Sequence, residues 1–146
     1  MKFITQKNNS KKYLWFGALT AEMILFTACA KKMQFQRSAI VPAAEGSVKY
    51  KKDKNGNFAV DIKVKHLAPA KRLSPPRNTY VVWMETESNG VQNIGRLKSS
   101  ESFLTNTLNG GLKTTTTFKP VSFFITAEND AAVQYHSTPI VLDMKG

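Results

Sequence analysis

One cysteine, two histidines and ten acids against 21 Lys and Arg are the scarcities of this 146-residue chain. A lone cysteine cannot pair within the chain, so a disulfide framework is excluded. With only two histidines beside it, the supply of soft ligands falls short of the four that a structural zinc takes. Helical patterning is missing too: beyond residue 30 no ten-residue window carries helical spacing. There is no G-x-S-x-G elbow and no D-x-[DN]-x-[DN]-G loop. Gly110-Gly111 has no lysine–threonine or helix context for a phosphate loop and reads as a turn. No cofactor is expected. What the chain does have is a 42% apolar composition with nine Phe, enough for the core of one domain.

The first 28 residues read as an address. Lys2, Lys7, Lys11 and Lys12 precede a mostly apolar run from Tyr13 to Ala28. A basic start, an apolar stretch and small residues at its end are the pattern of an export signal. Sixteen residues make about 24 Å of helix, short of a hydrocarbon core roughly 30 Å thick. A signal helix is therefore favoured over a permanent span. Glu22 inside the run opposes insertion while it is ionised. Phe26-Thr27-Ala28-Cys29 resembles the bacterial lipobox, with Phe26 where Leu is commonest. The resemblance implies lipidation of the Cys29 thiol, cleavage before it and acylation of the new amine. The expected organisation is a signal peptide over 1–28, a basic tether over 29–43 and a folded domain over 44–146. The signal holds four of the 21 basic side chains and one of the ten acids, so a chain starting at Cys29 keeps a formal charge of +8. Lys31 and Lys32 would then lie near the bilayer surface.

From Gly46 the period changes to two. Val48 and Tyr50 alternate with Lys49 and Lys51; Phe58, Val60, Ile62 and Val64 alternate with Ala59, Asp61, Lys63 and Lys65. Alternation on both sides of Asn55-Gly56 predicts a hairpin, because Asn and Gly suit a type I′ turn, with a loop of these two residues or one that also takes in Asp53 and Lys54. Leu67–Asn78 carries three prolines and reads as a loop. Thr79–Glu87 is apolar on both sides, as a central strand is. Val91–Lys98 is its return, after a turn at Ser88-Asn89-Gly90. Further strands are expected at 102–108, ended by Asn109-Gly110, and at 112–118, 121–128 and 139–144. Seven or eight strands with regular turns predict an all-β fold, a single immunoglobulin-like antiparallel β-sandwich after the signal helix. Trp83, Phe58 and Phe123 or Phe124 are expected between its sheets.

Tyr80-Val81-Val82-Trp83, Asn93-Ile94-Gly95-Arg96-Leu97 and Phe123-Phe124-Ile125-Thr126-Ala127-Glu128 are short motifs spread over residues 45–144. They resemble the extracytoplasmic domain of bacterial anti-sigma-K-type factors. The resemblance implies a β-sandwich outside the cytoplasm. It does not bring sigma-factor binding with it, because in that family a separate cytoplasmic helical domain does that work and an export signal stands in its place here.

Chemistry is sparse. His66 and His136 are the candidates for a small envelope hydrolase, and Glu85, Glu87, Glu128 and Asp130 for paired carboxylates. Solvated side chains at strand ends are the simpler reading of all six. Trp83, inside a central strand, reads as core before it reads as a stacking platform. Lys49, Lys51, Lys63 and Lys65 have the best claim to a binding role, because hairpin pairing gathers them on one sheet face suited to an anionic surface. The alternative is a solubilising face that discourages edge pairing. The expected function is that of a non-enzymatic envelope lipoprotein, anchored to a bacterial membrane through Cys29. Its sandwich would meet an envelope protein or an anionic polymer, with no role for nucleic acid. A secreted carbohydrate-binding module is the other alternative.

Overall fold

The computed structural model describes residues 29–101, 107–136 and 139–144. Within them lie nine strands: β1 (Lys31–Gln34), β2 (Glu45–Lys52), β3 (Phe58–Leu67), β4 (Thr79–Thr86), β5 (Val91–Arg96), β6 (Lys98–Glu101), β7 (Leu108–Thr116), β8 (Pro120–Glu128) and β9 (Ile140–Asp143). The helical content of the described residues is one 3-10 turn, Ala70–Arg72. The expected signal helix lies outside the described residues.

The strands form two antiparallel sheets. Sheet A runs β1-β2-β3-β7-β6 and sheet B runs β5-β4-β8-β9. The order β2-β3-β7-β6 facing β5-β4-β8-β9 matches the A-B-E-D and C′-C-F-G sheets of immunoglobulin-type sandwiches. β1 is an addition at the edge, beside β2. The all-β sandwich expected from the period-two pattern is therefore the fold.

Strand alternation decides which side chains fill the space between the sheets. Sheet A contributes Val48, Tyr50, Val60, Ile62 and Val64; sheet B contributes Tyr80, Val82, Met84, Phe123, Ile125 and Leu142. Tyr50 packs its ring against Phe58 and Phe123, with centroids 6.4 and 6.2 Å apart. The Tyr80 hydroxyl donates to the Ala68 carbonyl at 2.7 Å, which pins the proline-rich loop to sheet B. Burial pushes that phenol up to about 12, because the anion would lose its water.

Four expectations are corrected by the structure. The segment expected as a tether over 29–43 joins the sandwich. Residues 31–34 pair with β2, Phe35 covers Gly46, and Ser38 and Val41 are buried. The Ser38 hydroxyl donates to the Val141 carbonyl at 2.5 Å, and the Gln36 amide to Asp143 at 2.7 Å. These bonds tie the edge of sheet A to the edge of sheet B. A gain in buried contacts and long-range hydrogen bonds outweighs the ordering entropy that favours a free tether.

The hairpin at Asn55-Gly56 is real, but its turn is not type I′. The last pair is Lys52 with Phe58, and only Gly56 takes a positive φ (84°) in the loop. The Asp53 carboxylate accepts the amides of Asn55 and Asn57 at 2.8 and 2.9 Å and so shapes a five-residue loop. Asn109 and Gly110 lie inside β7 instead of ending a strand. Of the strand expected at 102–108, residues 102–106 lie outside the described residues. The fourth correction concerns Trp83, which is buried with Phe124 on the outer side of sheet B and not between the sheets, whereas Phe123 fills the space between them as expected.

Candidate functional site

The two outer faces of the sandwich carry the side chains on which function has to rest. On sheet A, Lys49, Lys51, Lys63 and Lys65 are all exposed. Register adds what the hairpin alone did not show. Lys32 on β1 faces Lys49, Lys49 faces Asp61, and Asp61 faces Lys113 on β7. Directly opposed residues project to the same side of a sheet. One row thus reads Lys32-Lys49-Asp61-Lys113 across four strands. The next reads Gln34-Ser47-Lys63-Gly111-Lys98 across five. Among the described residues seven lysines share this face, and the acids set among them are Asp61 and Glu45, the latter opposite Lys65. Among the described residues none of the seven forms an ion pair, and the one pair lies elsewhere, Lys119–Glu87 at 3.0 Å.

Lys32, Lys98 and Lys113 are the members that sequence reasoning missed. Lys32 could have been found, since Lys32-Met33-Gln34-Phe35 alternates as a strand does. Lys113 sits beside four threonines whose pattern is flat, and Lys98 reaches the face through a switch of sheets after β5. Ala30, the residue after Cys29, lines a shallow depression of about 510 Å³ together with Lys49, Lys51, Asp61 and Lys113. Cys29 is exposed and free.

Sheet B presents a different surface. Trp83 (1% exposed) stacks on Phe124 with centroids 6.1 Å apart, and His136 lies edge-on to both rings. The indole N–H donates to Thr126 Oγ1 at 2.8 Å, and that hydroxyl donates to the buried Glu128 carboxylate at 2.7 Å. A loop after β8 covers the cluster. Asn93 holds it in place, its side-chain amide donating to the carbonyls of Ala131 and Val133 at 3.0 and 2.7 Å. Asn93 was not singled out from the sequence, because its partners lie 38 and 40 residues away. Trp83 is thus core-like, enclosed under a loop and bonded at its one polar atom.

The remaining candidates are scattered. His66 sits exposed in a bulge of β3 on sheet A with φ 55°, whereas His136 caps the aromatic cluster of sheet B. The two histidines are not brought together. Glu87 is exposed and paired with Lys119, Glu128 is buried beneath Thr126, and Asp130 caps the Ala132 amide. Among the described residues no three His, Cys, Asp or Glu gather as metal ligands. Among them, too, no helix is long and apolar enough to cross a membrane. Comparison of the chain with protein-family models, curated proteins and solved structures finds no match.

Proposed function

We propose that the chain is a non-enzymatic lipoprotein of the bacterial cell envelope, held by Cys29, whose sandwich rests the lysine face of sheet A on an anionic membrane surface. The carrying observation is the position of Ala30 in the same depression as Lys49, Lys51 and Lys113. An acyl group on Cys29 leaves the molecule beside its most basic face. β1 begins only two residues after Cys29. Two residues reach at most about 7 Å, less than the screening length of about 8 Å at physiological salt. The lysines that share Ala30's depression therefore lie within electrostatic range of the lipid that holds the chain. Each cation near an anionic leaflet adds about 1 kcal/mol. The acyl chains hold the protein to the membrane, and the lysines set which side of it faces the lipid.

Two measurements test this reading. Cells expressing the chain with a clickable fatty acid should label the wild type and leave Cys29→Ala unlabelled; equal labelling of the two sinks the anchor. The unlipidated domain should sediment with vesicles rich in phosphatidylglycerol at low salt and be released at high salt. Lys49→Glu combined with Lys51→Glu should abolish that association. Wild-type protein that ignores such vesicles at low salt would leave the lysines as a solubilising face.

A further inference from the structure

The two glycines in the middle of β7 serve opposite sides of the sheet. Gly110 faces the core, where an added Cβ would overlap the Leu97 side chain and bring its Cγ to 2.8 Å. Its missing side chain is the space that Leu97 fills. Gly111 faces outward, and a Cβ there would meet one atom alone within 4 Å, the Ile62 carbonyl oxygen at 3.2 Å. Among the described residues no side chain comes within 4 Å of that position.

That empty position lies between two cations. Gly111 is the register partner of Lys63 on β3 and of Lys98 on β6. With about 5 Å between opposed Cβ positions, the two lysines stand roughly 10 Å apart on either side of a site without a side chain. The result is a hollow of about 470 Å³ whose lining, among the described residues, includes Lys63, Lys65, Lys98, Ser99 and Gly111, and no acid. Elsewhere on the face Lys32 opposes Lys49 and Lys51 opposes Ala59, and acids lie across from the others. Asp61 sits between Lys49 and Lys113, and Glu45 opposes Lys65. Lys63 and Lys98 have Ser47 and Gly111 as register partners, so neither has a carboxylate directly across from it. Their long, flexible stems can turn inward over Gly111 and present two ammonium groups to one guest.

We propose that this hollow seats a phosphate monoester, presented by a lipid head group of the membrane on which the face rests. The proposal builds on the membrane reading above and adds a ligand to it. A monoester approaches two negative charges near neutral pH, since its second pKa is about 6, whereas a phosphodiester carries one. Two converging lysines with no acid across from them match the dianion. Lysine binds phosphate as a point charge, so a gap it can lean across matters more than a fixed fork.

The test uses the full chain, isotopically labelled, in zwitterionic detergent micelles at constant ionic strength. Titrated glycerol 3-phosphate should move the Gly111 amide resonance saturably, and glycerophosphoglycerol, a diester, should need at least about ten times the concentration. Lys63→Gln with Lys98→Gln should weaken the monoester response about thirtyfold. Lys49→Gln with Lys51→Gln, on the other side of Asp61, should leave it within about twofold. Equal responses to monoester and diester, or an unchanged Lys63→Gln/Lys98→Gln variant, overturn the seat. In a second arm, wild-type chain should prefer vesicles containing phosphatidic acid over phosphatidylglycerol vesicles of matched surface charge, and the double Gln variant should lose the preference. Saturable glycerol 3-phosphate binding without that preference overturns the head group as its source. Failure of the membrane reading has its own signature, because the wild type then ignores both vesicles while the Gly111 titration still saturates.

Discussion

The outer faces of the two sheets meet the same physical problem in different ways. Sheet B carries Val81, Trp83 and Phe124 on its outer side and encloses them under a loop fastened by Asn93. Sheet A alternates its apolar residues strictly inward and leaves lysines outside, so it requires no cover. An apolar outer face is costly in water and has to be buried, which turns it into structure. A charged outer face is stable uncovered, which leaves it available to a partner. Side chains that look most like a binding platform in the sequence, above all Trp83, are therefore the ones committed to stability. The plainest ones, the lysines, are free to bind.

The most forceful way to break this comparison is to empty the covered face. Trp83→Ala removes a buried indole, its stack on Phe124 and the donor that Thr126 accepts. The expected loss is about 3–5 kcal/mol of unfolding free energy by denaturant titration. A loss below about 1 kcal/mol would mean that the loop leaves the ring open to solvent, and the ring would regain its standing as a ligand platform.

Tyr80 sharpens the comparison from the inner side of the same strand. Its phenol is pushed up to about 12 from 10.0 by burial. The folded state therefore holds a proton that the unfolded chain releases from about pH 10 upward. Stability from this group is complete below pH 10 and declines as pH rises toward 12, with a limiting slope of about 1.4 kcal/mol per pH unit. Tyr80→Phe should lose about 1 kcal/mol at neutral pH, from the broken bond to Ala68, and should flatten this alkaline decline. An identical alkaline profile in the two proteins would place the sensitive group elsewhere.

How much of this could be read in the sequence follows from the range of each interaction. Val48 to Val64 announced their hairpin, their inward face and their lysines because alternation is a local signal. The sandwich followed from repeating that signal along the chain. The stretch after β1 gives no such signal, because the bonds that fix it, Ser38 to Val141 and Gln36 to Asp143, join residues more than a hundred positions apart. The run around Trp83 marks it as buried, yet it cannot say on which side. Both faces of β4 are apolar, and only the loop held by Asn93 says which one lies outside the main core. The row through Gly111 needed three strands in register, and the Asn109-Gly110 pair suggested a turn where the chain runs straight.

The smallest expected effect on stability separates binding from folding on sheet A. Lys49 faces Lys32 on one side and Asp61 on the other, so it takes part in one repulsion and one attraction of similar size. Reversing its charge exchanges the two and leaves their sum nearly unchanged. Lys51 faces Ala59, which offers no charge to lose. Both lysines are exposed, and pairs of this kind are worth only a few tenths of a kcal/mol once water and salt screen them. Lys49→Glu with Lys51→Glu should therefore shift unfolding free energy by no more than about 0.5 kcal/mol, even though the same variant is expected to lose its hold on anionic vesicles. Measured side by side, denaturant midpoints and vesicle cosedimentation should come apart. If both fall together, with stability down by more than about 1 kcal/mol, the lysines are part of what holds sheet A in shape, and the contrast between a covered structural face and an open binding face does not stand.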